Sequence, residues 1–196
     1  MSWIRRLFGA GSPKPVIQGV PTQPAPASDM DAFWAIIDAT CDTPDQIAAL
    51  DKSLRGLPED AHLQFSADYD RVVNTAFRWD LWAATYFING GCGDDGFVYF
   101  CDWLISQGRG VFEAALADPD SLADVLHGSI PEEVQTEFEE FRYVSNDVFE
   151  EKFGKSVPRF DFPYPADPIG TPFEDDDELL AQQFPKIATW LTRGSD

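Results

Sequence analysis

Apolar residues recur at helical spacing along most of the chain. Met30, Phe33, Trp34, Ile36 and Ile37 share one face behind an N-cap at Ser28–Asp29, which predicts a first helix. Thr43-Pro44-Asp45 opens a second, with Thr43 as cap and Pro44 at the first helical position. Its apolar face is Ile47, Leu50 and Leu54, and Gly56 stops it. Pro58-Glu59-Asp60 opens a third in the same manner, with Leu63, Phe65, Tyr69, Val72, Val73 and Ala76 on its buried side. That helix is expected to run with little break into Phe77–Ile88. Leu81 to Ile88 is apolar on nearly every face, so this segment belongs at the centre of a bundle.

A glycine-rich acidic turn, Gly90 to Gly96, separates that segment from Phe97, Phe100, Cys101, Leu104 and Ile105, which follow i, i+3, i+4, i+7, i+8 and predict an amphipathic helix ending at Gly108. Val111, Phe112, Ala115 and Leu116 form a short helix closed by Asp118-Pro119, and Asp120–Ser121 caps another through Leu126. Pro131 starts a helix carrying Val134, Phe138, Phe141, Tyr143, Val144, Val148, Phe149 and Phe153, which Gly154 ends. Lys155 to Phe173 holds five prolines and four aromatics, too aromatic for a free linker, and reads as an extended strap. Glu174 to Glu178 is an acidic helix start suited to an N-terminal dipole, followed by Leu179, Leu180, Phe184, Ile187, Trp190 and Leu191 with an interruption at Pro185. No alternating strand pattern and no internal repeat occurs. The class is all-α: a single compact multi-helix bundle around a central apolar helix. Three stretches are expected: 1–28, a flexible N-terminal segment and Pro-rich linker; 29–154, the helical domain; and 155–196, a strap and C-terminal helix packed on it.

Charge narrows the function classes. The 196 residues are 44% hydrophobic, enough for a core, and carry 14 Lys and Arg against 34 Asp and Glu, a net charge of −20. So acidic a body repels nucleic-acid phosphates, which disfavours direct DNA or RNA binding. It suits solubility, a basic protein partner, or mimicry of nucleic-acid charge. The first 28 residues run the other way, with Arg5, Arg6 and Lys14 and no acid. Trp3, Ile4, Leu7 and Phe8 share one helical face there, a pattern for weak contact with a membrane surface or a partner. Cys41, Cys92 and Cys101 are odd in number and lack metal-ligand spacing, which favours a reducing compartment. With no membrane-length apolar run and no signal-peptide core, the expected location is the cytoplasm.

Gly91-Cys92-Gly93-Asp94-Asp95-Gly96 matches the letters of a dinucleotide loop. The run before it is too long for a typical strand, and two carboxylates stand where a phosphate would sit, so the glycines read as turn chemistry instead: Gly90 or Gly91 ends one helix in a left-handed conformation and Asp94 caps the next. Asp94 and Asp95 serve either as caps and internal ion-pair partners or as contacts for a partner, a ligand or a divalent metal, with Asn89 and Asp102 nearby. Trp82 and Trp103 belong to the aromatic core or line a cleft beside them. His62 and His127 are the only histidines, and neither has a catalytic or zinc motif around it. No cofactor motif is present.

At FWAIIDA (Phe33–Ala39), LWAATYFINGGCGDDGFVYFCDWLISQGRGVFEAAL (Leu81–Leu116) and DPDSLADV (Asp118–Val125), the chain resembles a mainly bacterial helical domain family of unknown function, over roughly Met30 to Phe153. The family form usually has Ser where Gly93 stands. The resemblance implies a helical domain and supplies no activity or catalytic residues. The expected function is a non-enzymatic acidic binding module for a protein partner, of the immunity, antitoxin or regulatory-adaptor kind. The alternative is an enzyme or small-ligand sensor with its pocket at the Gly90–Gly96 turn.

Overall fold

The computed structural model describes residues 22–126, 136–162 and 165–194. The fold is all-α. Its helices are α1 (Met30–Asp38), α2 (Gln46–Arg55), α3 (Glu59–Ala76), α4 (Trp79–Asn89), α5 (Asp94–Ser106), α6 (Arg109–Ala117), α7 (Glu139–Phe153), α8 (Asp177–Gln183) and α9 (Pro185–Leu191), with a 3₁₀ turn over Pro119–Asp124. The proposed anchor Trp3, Ile4, Leu7 and Phe8, the helix start at Pro131 and His127 all lie outside the described residues.

Caps explain where several helices begin. Asp29 accepts the Ala32 N–H at 3.0 Å ahead of α1. Ahead of α2 the cap is Asp45, not Thr43: its carboxylate takes the Ala48 N–H at 2.9 Å, while the Thr43 hydroxyl turns back to the Thr40 carbonyl. A carboxylate adds charge to the cap, which suits the helix dipole better than a hydroxyl. The 3₁₀ turn is capped by Asp118, two residues before the expected Asp120. Gly154 ends α7 at φ 68°.

The expected continuous helix through Phe77 is broken. Phe77 and Arg78 leave the helical region because the strap pairs with them: Trp79 N–H donates to the Ile169 carbonyl and Ile169 N–H to the Phe77 carbonyl, each at 2.9 Å. The strap also pairs Arg159–Phe160 (β2) in parallel with Thr22–Gln23 (β1), so packed chain begins inside the proline-rich stretch, before residue 29. Arg71 fastens this corner, reaching Asp68 and the Pro26 carbonyl with its guanidinium 4.9 Å from the centre of the Phe162 ring.

α4 is the central helix: Leu81, Trp82, Ala83, Ala84, Thr85 and Ile88 are all buried. α5 packs against it, and Trp82 stacks on Phe97 at 4.6 Å with 8° between ring planes. α7 lies across α2, α3 and α5, while α9 closes the other end against α4 and the 3₁₀ turn. Asp120, nearly buried, accepts the Lys186 and Ile187 N–H groups at 3.0 to 3.1 Å and so caps α9 from far along the chain. Among the described residues no helix is long and apolar enough to cross a membrane.

Candidate functional site

The Gly90–Gly96 turn is built by backbone geometry. Gly90 (φ 64°) and Gly91 (φ 141°) both need conformations that side chains resist, and Gly91 N–H closes on the Tyr86 carbonyl at 2.9 Å. Trp82 donates its indole N–H to the Cys92 carbonyl at 3.0 Å, pinning the turn to the core. Asp94 is not the cap of α5. Gly93 holds that position, and Asp94 lies one residue inside the helix, where its carboxylate meets the dipole instead of an N–H. Asp94 and Asp95 are exposed and make no hydrogen bond or ion pair with any described residue. Asn89 accepts the Thr136 hydroxyl at 2.9 Å, tying the turn to the start of α7.

That tie sets two acidic helix ends side by side. Phe138 N–H reaches the Tyr99 carbonyl at 3.1 Å, so the first turn of α7, with Glu139 and Glu140, stands beside α5. Tyr143 donates to Glu139 at 3.1 Å, and hydrogen bonds to Glu139 push the Tyr99 and Tyr143 hydroxyls above their ordinary pKa. Asp94, Asp95, Glu137 and Glu140 are exposed around these rings, and none pairs with a cation among the described residues. Tyr143 is itself 46% exposed.

A second polar cluster lies where α3, α5 and α7 cross. Asp102 is fully buried, accepts the Tyr69 hydroxyl at 2.8 Å and faces Arg142 Nε at 2.7 Å. Burial pushes the Asp102 carboxyl up to about 6, and Arg142 and the Tyr69 hydrogen bond offset only part of that rise. Burial, then the neighbouring Asp102, drives the Tyr69 hydroxyl well above its ordinary value. The expected site residues therefore separate. Asp102 sits about 12 Å along α5 from Asp94, at 1.5 Å per residue. Trp82 and Trp103 are core side chains. The sequence marks Tyr69 only as part of the buried side of α3 and does not mark Arg142; the available signal is an acid, Asp102, between the buried Cys101 and Trp103.

His62 is fully buried with its Nε2 at 3.0 Å from the Ser145 carbonyl and 3.2 Å from the Ser145 hydroxyl. A carbonyl only accepts, so Nε2 carries the proton and cannot draw one from Ser145. Burial lowers the imidazole's pKa, which keeps it neutral. Burial likewise raises all three thiols, Cys92 to about 12, so none is a ready thiolate at neutral pH. Among the described residues no group of three or more His, Cys, Asp and Glu is arranged to hold a metal ion.

Fold and site define an all-α domain that joins a buried Tyr–Asp–Arg cluster to an acidic face made of two helix ends. The chain belongs to the family described as "Protein of unknown function (DUF4240)", which matches residues 29–151. The match runs from the cap of α1 into α7 and so contains Tyr69, Asp94, Asp95, Asp102 and Arg142, while the strap, α8 and α9 fall outside it. No curated protein and no solved structure matches the chain.

Proposed function

We propose that the chain is a non-enzymatic binding module that docks a basic protein partner on the face formed by the starts of α5 and α7. The observation that carries this reading is the pairing pattern. Arg55, Arg71, Arg78, Arg109, Arg142 and Lys155 each hold a carboxylate within the fold, while Asp94, Asp95, Glu137 and Glu140 hold no described cation. Exposed acids flanking Tyr99 and Tyr143 offer charge for steering and aromatic surface for contact. An immunity or antitoxin-type neutraliser of a basic toxin, or a regulatory adaptor, would use such a face. Three free cysteines support a reducing, cytoplasmic setting for it.

The test is capture from the source cell's extract with the wild-type chain and with Asp94→Asn/Asp95→Asn, at low and at high salt. The reading expects a basic protein retained by the wild type at low salt, released by salt, and recovered poorly by the variant. Equal recovery by both chains, or recovery indifferent to salt, sinks it.

A further inference from the structure

We propose that the cavity between α3, α7 and the strap is a binding pocket for a small monocarboxylate that also carries a hydrogen-bond donor, an α-hydroxy or α-amino acid, with Arg142 as its anchor. The cavity measures about 300 Å³, within the lower range for small-molecule sites. Arg142 lines it, holds its Nε in an ion pair 2.7 Å from Asp102, and makes no hydrogen bond through either Nη to any described residue. A guanidinium held from behind by a buried carboxylate presents a fixed fork, which a carboxylate meets in bidentate fashion.

Two buried hydroxyls, Ser66 on α3 and Ser145 one turn along α7 from Arg142, supply the second half of the recognition. Ser66 donates its hydroxyl to the His62 carbonyl at 3.0 Å, so in its 2.8 Å contact with Ser145 it is the acceptor. Each of these buried oxygens then keeps acceptor capacity toward the cavity and matches a donor on the ligand. Asp70 also lines the cavity, which makes a doubly charged phosphate a poor occupant beside it, while a singly charged carboxylate suits one guanidinium. Pro158 and Phe160 of the strap give an apolar roof for a short carbon skeleton. The pocket shares Tyr143 with the acidic face but is lined by neither Asp94 nor Asp95.

The test is a titration of the ¹⁵N-labelled full-length chain, at fixed ionic strength, with L-lactate, L-alanine, lactamide, propionate and inorganic phosphate. A six-heavy-atom ligand is expected in the millimolar range or tighter, on the order of 4 kcal/mol of binding. Lactate or alanine should give saturable shifts at the Tyr69, Arg142, Ser145 and Asn146 amides, and which of the two binds names the second group. Propionate should bind several-fold more weakly and lactamide not at all. Arg142→Gln should weaken binding at least about tenfold. Should that variant unfold, Asn146→Trp, at an exposed position on the cavity wall, blocks the pocket while leaving Arg142 and Asp102 themselves unsubstituted and should abolish the shifts. No saturable shift with either acid, an equal response to lactamide, phosphate binding as tightly as the acids, or undiminished binding in Asn146→Trp overturns the assignment.

Discussion

Asp102 makes the stability of the fold depend on pH in an unusual direction. Its carboxyl is fully buried, and its ordinary value of 3.8 rises to about 6 in the folded chain. Two effects compete there. Loss of hydration favours the neutral acid, while Arg142 at 2.7 Å favours the anion. Desolvation wins because Arg142 is the less buried partner, its side chain 28% exposed against 0% for Asp102, so solvent screens part of its pull. The folded state therefore holds a proton that the unfolded chain releases between pH 4 and 6. This contribution is fully present below about pH 4 and is lost as pH rises through about 6. The gap from 3.8 to about 6 corresponds to ~3 kcal/mol. Asp102→Asn isolates the effect, since the amide oxygen still accepts from Tyr69 and does not titrate. Urea unfolding followed by tryptophan fluorescence at a series of pH values from 3.5 to 7 gives the stability of both chains. The variant should gain about 3 kcal/mol relative to wild type across that range, while other carboxylates cancel in the difference. A flat difference, or one that moves the opposite way, would show that Arg142 outweighs burial and refute the reasoning.

Other outcomes follow from single contacts. Asp120→Ala should cost about 1 to 3 kcal/mol by stranding the Lys186 and Ile187 N–H groups, and unchanged hydrogen-exchange protection of those amides would contradict the capping role. Gly108→Ala should be worse than Gly90→Ala in thermal melts. Gly90 has open space and a positive φ, worth about 1 kcal/mol, whereas at Gly108 a Cβ would stand 2.8 Å from Asp38 Oδ1 as well. Phe97→Ala, removing a ring stacked between Trp82 and Phe100, should cost about 3 to 5 kcal/mol in chemical unfolding; a loss below 1 would mean that the cavity collapses freely.

Local pattern determined much of this protein. Periodicity placed Phe33, Trp34 and Ile37 on the buried face of α1 and Leu81 to Ile88 at the centre, because burial of one stripe or of every face is written into residue order. Glycine chemistry at Gly90 and Gly154 was legible because a left-handed helix end selects that residue. The break at Phe77–Arg78 was not legible, since its cause is Ile169, roughly ninety residues away, competing for the backbone hydrogen bonds of a continuous helix. Asp120 read as a local helix start, yet its carboxylate caps α9. The polar cluster was hidden for the same reason. Asp102 lies beside the apolar stripe of α5 and is buried only because α7 covers that side, bringing Arg142 to it while α3 brings Tyr69. Residue order thus determines helices and their faces, through contacts three and four positions apart. The elements that meet, and hence the Tyr69–Asp102–Arg142 cluster and the cavity beside it, are decided by packing between segments whose separation leaves no periodic trace in the sequence.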